Sequence, residues 1–67
     1  MTLSSTNWRI VYRNFLDLYE KRSEVNARRF AWEDTADRMA RDECMSLLAA
    51  REHLNMLMPE INLEEVQ

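Results

Sequence analysis

The stretch DTADRMARDECMSLLAAREHLNMLM, residues 34–58, decides the predicted fold. It contains neither glycine nor proline, and its apolar side chains recur every three or four residues, as on one face of an α-helix. The members of this face are Ala36, Ala40, Leu47, Ala50, Leu54 and Leu57, and Trp32 and Met39 extend it. We therefore expect one long amphipathic helix, with Glu43 as a charged residue in the middle of its apolar face.

A second apolar stripe precedes this helix and consists of Trp8, Val11, Tyr12, Phe15, Leu18 and Tyr19. We place the first helix at residues 5–29. Its N-cap is one of Ser4, Ser5 and Thr6, and a cap at Ser4 would pack Leu3 against Trp8 as a hydrophobic staple. The break is expected at residues 30–33, because arginines precede it and acidic residues follow it, as suits two successive helix dipoles. One unbroken helix is the alternative.

The predicted fold class is all-α: an antiparallel hairpin of two helices, residues 5–29 and 34–58. It forms one domain at residues 1–58, and Pro59 ends the second helix because proline disfavours the helical conformation in the residue before it. Residues 59–67 form a short tail. The tail either frays or returns to the bundle through Ile61, Leu63 and Val66.

The size and composition of the chain predict self-association. The chain has 67 residues, no glycine and a single cysteine, which suits helices and excludes an internal disulfide. A chain this short buries only about 60% of its unfolded surface. We therefore expect the hairpin to gain buried surface by pairing with a second copy, as a dimer first, in a four-helix bundle.

One charged residue interrupts each apolar stripe, Arg22 in the first helix and Glu43 in the second. A hairpin register in which paired positions sum to 65 places these two side chains opposite each other. Buried ion pairs more often fix register than perform chemistry. We therefore expect Arg22 and Glu43 to form a register ion pair, within one chain or between two.

No catalytic, metal-binding or nucleotide-binding motif is present. His53 is expected to project into solvent and Cys44 to be a small buried side chain, because neither has the convergent partners that a metal site or an activated nucleophile needs. The sequence thus predicts no enzymatic activity, no cofactor and no metal.

Several apolar residues exceed what two helices can cover. They are Trp8, Tyr12 and Tyr19 on the first helix and a smaller strip of Met45, Ala49 and Met56 on the far side of the second. Exposed methionines and aromatics suit protein–protein contacts, and the alternative is that they are scattered surface residues. We predict a non-catalytic regulatory or adaptor protein that binds a second copy and a host protein.

Charge supports a second hypothesis, a small helical nucleic-acid-binding regulator. Residues 1–31 carry six basic and three acidic side chains, whereas residues 32–67 carry three and nine. The basic half includes Arg9, Arg13, Arg28 and Arg29, but the net charge of −3 and the absence of any nucleic-acid-binding motif place this function second. No apolar run approaches the roughly 20 residues that span a bilayer, and no signal peptide precedes the domain, so the expected location is the cytoplasm.

Two stretches, NWRIVYRNFLDLYEKR at residues 7–22 and ARRFAWEDTADRMARDE at residues 27–43, resemble a known family. They are similar to the small helical accessory proteins that lambda-like phages encode in their early region, between the exonuclease and excisionase genes. The resemblance implies a bacterial cytoplasm and a non-enzymatic influence on host physiology or on the choice between lysis and lysogeny. The expected architecture also resembles plasmid copy-number proteins that dimerise as helical hairpins and bind paired RNA, but shape alone does not fix function.

Overall fold

The computed structural model describes residues 6–61, and this part of the chain is all-α, as predicted. It contains three compactly packed helices: α1, Trp8–Lys21; α2, Ala27–Asp42; and α3, Leu47–Leu57. The two-helix hairpin is therefore wrong. The predicted turn at residues 30–33 lies inside α2, and the predicted helix at residues 34–58 is interrupted at residues 43–46.

Both interhelical breaks are built on residues with positive φ. Ser23 has φ 56° and Cys44 has φ 55°. At the first break the Glu24 amide donates to the Tyr19 carbonyl at 3.1 Å, and at the second the Met45 amide donates to the Ala40 carbonyl at 2.9 Å. This is the Schellman motif, which satisfies carbonyls that a helix end leaves without partners and normally uses glycine at the left-handed position. Serine and cysteine occupy that position here.

Replacement of either residue by glycine is expected to stabilise the protein. The left-handed conformation is unfavourable for residues that have a Cβ, and glycine removes that cost, although it also loses more entropy on folding. We expect Ser23→Gly and Cys44→Gly each to raise the free energy of unfolding by about 0.5–1 kcal/mol, measured by urea denaturation. Ala49→Gly, on the exposed side of α3, is the control and should lower it by a similar amount. A destabilising Cys44→Gly would instead indicate a helix that continues through residue 44.

Side-chain caps start two of the helices. The Asn7 side-chain oxygen accepts from the Arg9 amide at 3.1 Å, and the Ser46 hydroxyl accepts from the Ala49 amide at 3.1 Å. Such caps satisfy amides that the first turn leaves free. The first helix therefore begins at Trp8, with Asn7 as its cap, and not at residue 5 as predicted. The predicted staple of Leu3 against Trp8 depends on Leu3, which lies outside the described residues.

Helix α2 is the centre of the core, since α1 and α3 both pack against it. Small side chains at Ala31 and Ala36 allow this close approach, and both are fully buried. Thr35 is the one buried polar residue among residues 6–61, and its hydroxyl donates to the Ala31 carbonyl at 2.7 Å, so this hydroxyl has a hydrogen-bond partner. The buried cluster comprises Trp8, Tyr12, Ala31, Trp32, Ala36, Met39, Ala50, Leu54 and Met58.

Helix α3 ends just before the proline, as predicted. Its last helical residue is Leu57, and Met58, the C-cap, is fully buried. Beyond Pro59, Ile61 packs against the core, and its amide donates to the Met58 carbonyl at 3.1 Å. The other two tail residues expected to return to the bundle, Leu63 and Val66, lie outside the described residues.

Candidate interaction surfaces

The predicted register pair does not form within the folded chain. Arg22 is the exposed C-cap of α1, whereas Glu43 is the half-buried C-cap of α2, so the whole of α2 separates them in the sequence. Neither has an ion pair with any residue in the described range 6–61. Neither residue interrupts an apolar stripe as predicted, because Arg22 terminates α1 and Glu43 terminates α2, and each stripe ends there. The pairing of positions that sum to 65 is wrong for the single chain for the same reason.

The aromatic residues of α1 point into the chain's own core. Trp8 and Tyr12 are buried, and the Tyr12 ring meets Trp32 edge-on with 6.1 Å between centroids. Tyr19 is half-buried: its ring packs edge-on against Phe30 at 5.6 Å, and its hydroxyl donates to the Asp34 carboxylate. That hydrogen bond raises the pKa of the Tyr19 hydroxyl above its ordinary value. Trp8 and Tyr12 are only 7% exposed, so they contribute little to the interaction surface that was predicted for them.

Two of the three residues predicted to form a strip on the far side of the second helix are exposed in the structure. Ala49 and Met56 face outward on α3, and 79% of Met56 is exposed. Met45 instead precedes α3 and packs against the core. Leu48, 65% exposed, joins Met56 because residues 48, 52 and 56 share one side of the helix. We call Leu48, Ala49, Glu52 and Met56 the α3 outer face.

The residues considered for chemistry lie apart from one another. His53 is exposed on α3, as predicted. Cys44 is exposed too, which corrects the expectation of a buried thiol: the left-handed turn places it after α2 instead of on the apolar face of a continuous helix. Within residues 6–61 no three histidine, cysteine or acidic side chains converge in a way that could hold a metal ion.

Ion pairs neutralise only some of the basic side chains. Arg51 joins α3 to α2 through Glu33 at 2.6 Å, and Arg9 reaches both the Glu60 carboxylate and the Leu57 carbonyl, the latter at 2.9 Å. Along α2, Arg38 pairs with Asp42 at 3.5 Å, and Arg41 pairs with Asp37 at 2.9 Å. The basic residues that have no ion pair with any described residue are Arg13, Lys21, Arg22, Arg28 and Arg29.

A groove of about 700 Å³ runs between α1 and the segment at residues 58–61. We call it the α1 groove. Its lining includes the apolar side chains of Leu16, Met58 and Ile61 and the exposed guanidinium groups of Arg13 and Arg28. Tyr12 also contributes: burial raises the pKa of its hydroxyl, while the neighbouring Arg28 acts in the opposite direction. Sequence reasoning missed this groove, because it depends on residues 58–61 folding beside α1.

The chain matches no protein-family model, no curated protein and no solved structure. None of the helices between residues 6 and 61 has both the length and the apolar character that a membrane crossing requires. The structure presents two surfaces that are suited to contact with a partner. They are the α3 outer face, which is mainly apolar, and the α1 groove, which is bordered by Arg13 and Arg28.

Proposed function

We propose that this is a small non-catalytic regulatory or adaptor protein that acts through protein–protein contacts. The first of these contacts is with a second copy of itself, and the α3 outer face is the contact surface. The observation that carries the proposal is the exposure of Leu48 and Met56 on the side of α3 opposite its core residues Ala50 and Leu54. A helix that packs with one face normally presents polar residues on the other.

The choice of surface follows from comparing the exposed apolar residues. Val25 is 90% exposed but lies alone in the turn between α1 and α2. Single exposed apolar residues are common on protein surfaces and need no partner. Leu48 and Met56 are two turns apart on one helix face, with Ala49 beside them, and together they form an apolar strip that Glu52 interrupts. Methionine-containing strips of this kind adapt well to a partner surface.

The homodimer proposed here replaces the predicted bundle of two hairpins with a pair of three-helix chains. Each chain would bring its α3 outer face to the contact. The resemblance of residues 7–43 to early proteins of lambda-like phages supplies the proposed setting, a bacterial cytoplasm in which the dimer influences host physiology or phage development. A host protein is the proposed further partner of the dimer.

The test is a pair of double variants of equal charge. Leu48→Lys with Met56→Lys places two lysines on the α3 outer face. His53→Lys with Asn14→Lys places two lysines at exposed positions outside that face, one on α3 and one on α1. We expect the first pair to weaken dimerisation by about tenfold or more, since burying one such side chain is worth about 1.5–3 kcal/mol. The second pair should leave it nearly unchanged. Light scattering over a dilution series measures the dimer, and circular dichroism checks the fold.

A substitution at Glu52 provides a third test of the proposed dimer. If two α3 helices pair antiparallel, with Leu48 against Met56 of the other copy, then the two Glu52 carboxylates approach each other and repel. Glu52→Ala should therefore tighten the dimer. A parent protein that stays monomeric at high micromolar concentration would contradict self-association. Equal weakening by both lysine pairs would show that charge alone, and not the α3 outer face, governs it.

Nucleic-acid binding is the second candidate, and one observation favours it. All five basic residues without an ion pair among the described residues fall between positions 13 and 29, which gives the α1–α2 end of the chain a positive charge. Phosphate contacts made by such residues would give binding that weakens steeply with salt. The net charge of −3 and the apolar character of the α1 groove place this candidate second.

A further inference from the structure

The α1 groove combines an apolar floor with an incompletely neutralised rim. Met58 is fully buried, and Leu16 and Ile61 are half-buried, so the floor is preformed by side chains that already belong to or border the core. Arg13 on α1 and Arg28 on α2 are exposed at its edge. A volume of about 700 Å³ is enough to hold several side chains of a bound ligand.

The three arginines that line the groove differ in their partners. Arg9 is held by Glu60 and by the Leu57 carbonyl. Arg13 and Arg28 have no acidic partner within residues 6–61, although Asp17 lies one turn from Arg13 on α1 and lines the same groove. Neither guanidinium charge is thus neutralised by a carboxylate of the described residues, although Arg28 also interacts with the Tyr12 hydroxyl.

Arg28 also occupies a position that is unfavourable for helix stability. It lies in the first turn of α2, where the helix dipole is positive and the sequence has no acidic residue. The N-cap residue, Asn26, makes no capping hydrogen bond with its side chain. The start of α2 therefore carries the positive charges of Arg28 and Arg29, and no acidic residue in the first turn compensates for them. Local rules of this kind are most often broken at functional sites.

We propose that the α1 groove binds an acidic peptide segment of a partner protein, with an apolar side chain on the exposed parts of Leu16 and Ile61 and carboxylates at Arg13 and Arg28. Carboxylates suit guanidinium groups because the two can form paired, charge-assisted hydrogen bonds. A nucleic-acid backbone suits the groove less well, since the floor of the groove is apolar and a phosphate backbone has no apolar side chain to place there. The groove adds a second surface to the proposed adaptor and uses no residue of the α3 outer face.

The experiment uses the full chain and a fluorescein-labelled peptide of alternating glutamate and leucine. The control peptide replaces every glutamate with glutamine. Binding is followed by fluorescence anisotropy at physiological ionic strength. Arg13→Glu with Arg28→Glu reverses the rim of the groove, and Lys21→Glu with Arg29→Glu makes the same change of charge at two other basic residues that have no ion pair with the described residues and lie outside the groove lining.

We expect the parent to prefer the glutamate peptide, and the groove variant to bind it about tenfold more weakly or worse. The control variant should change affinity much less. Arg28→Glu should also raise the melting temperature, because a glutamate suits the first turn of α2. Loss of binding together with an intact or more stable fold would then be assigned to the groove.

Three results would overturn the proposal. The first is a parent that binds neither peptide. The second is an equal loss of affinity in the two charge-reversed variants, which would reduce the effect to overall charge. The third is tighter binding to a mixed-sequence DNA or RNA duplex than to the glutamate peptide, lost only in the groove variant, which would assign the arginines to nucleic acid. None of these results depends on dimerisation, so the self-association proposal is judged separately.

Discussion

Glu33→Pro should lower the free energy of unfolding by about 3 kcal/mol or more relative to Glu33→Ala. Glu33 lies in the second turn of α2. A proline there removes a backbone hydrogen bond of the helix and clashes with the carbonyl one turn earlier. Alanine is the matched control, because it also removes the ion pair with Arg51 but keeps the helix.

The size of this effect separates the three-helix fold from the hairpin. A domain of this length is stabilised by about 3–10 kcal/mol in total, so Glu33→Pro should leave little or no cooperative unfolding transition. Circular dichroism during urea denaturation measures the difference. A turn at residues 30–33 would accept proline with little loss. Equal stability of the proline and alanine variants would therefore contradict the continuity of α2.

A second large loss of stability is expected for Met39→Ala but not for the same substitution at Met56. Met39 is fully buried at the centre of the core, whereas Met56 is 79% exposed on α3. Met39→Ala removes buried atoms and leaves a cavity, so it should cost about 2–5 kcal/mol. Met56→Ala should stay within about 0.5 kcal/mol of the parent at concentrations where the chain is monomeric.

This comparison tests which of the two methionines is buried within a single chain. Urea denaturation of both variants at low protein concentration gives the two costs directly. If both variants lost a similar amount of stability, then Met56 would be buried by a contact that persists on dilution. If neither lost stability, then the packing of α1 and α3 around Met39 would be wrong.

The sequence predicted the helical class and most of the core, because the three-and-four spacing of apolar residues reports which side of a helix is buried. Trp32, Ala36, Met39, Ala50 and Leu54 all lie on predicted apolar faces and are buried. The positions of the two breaks were missed for a specific reason. The usual signal for a left-handed helix end is glycine, and the chain uses Ser23 and Cys44 instead.

The charges on either side of residues 30–33 also led to a wrong position for the turn. The prediction places Arg28 and Arg29 at the C-terminal end of the first helix, where a positive charge is favourable. In the structure they lie in the first turn of α2, where their charge opposes the helix dipole. Local electrostatics contribute only about 0.3–1 kcal/mol each. Burial of Ala27, Ala31 and Trp32 contributes more and fixes where α2 begins.

The interaction surfaces were only partly predictable. Met56 and Ala49 were recognised because they lie opposite the apolar face, but Met45 depended on the unseen turn at residues 43–46. The α1 groove brings together residues from both ends of the chain, such as Arg13 and Ile61. No local pattern records that proximity, because it arises from the way residues 58–61 pack beside α1.

The central position of α2 also has a consequence for the speed of folding. Helices α1 and α3 each pack mainly on α2, which adjoins both of them in the chain, so most native contacts close short loops. Proteins dominated by such local contacts fold within microseconds to milliseconds. A nascent chain would therefore expose the inward-facing aromatics of α1 only briefly, which limits its exposure to aggregation during synthesis.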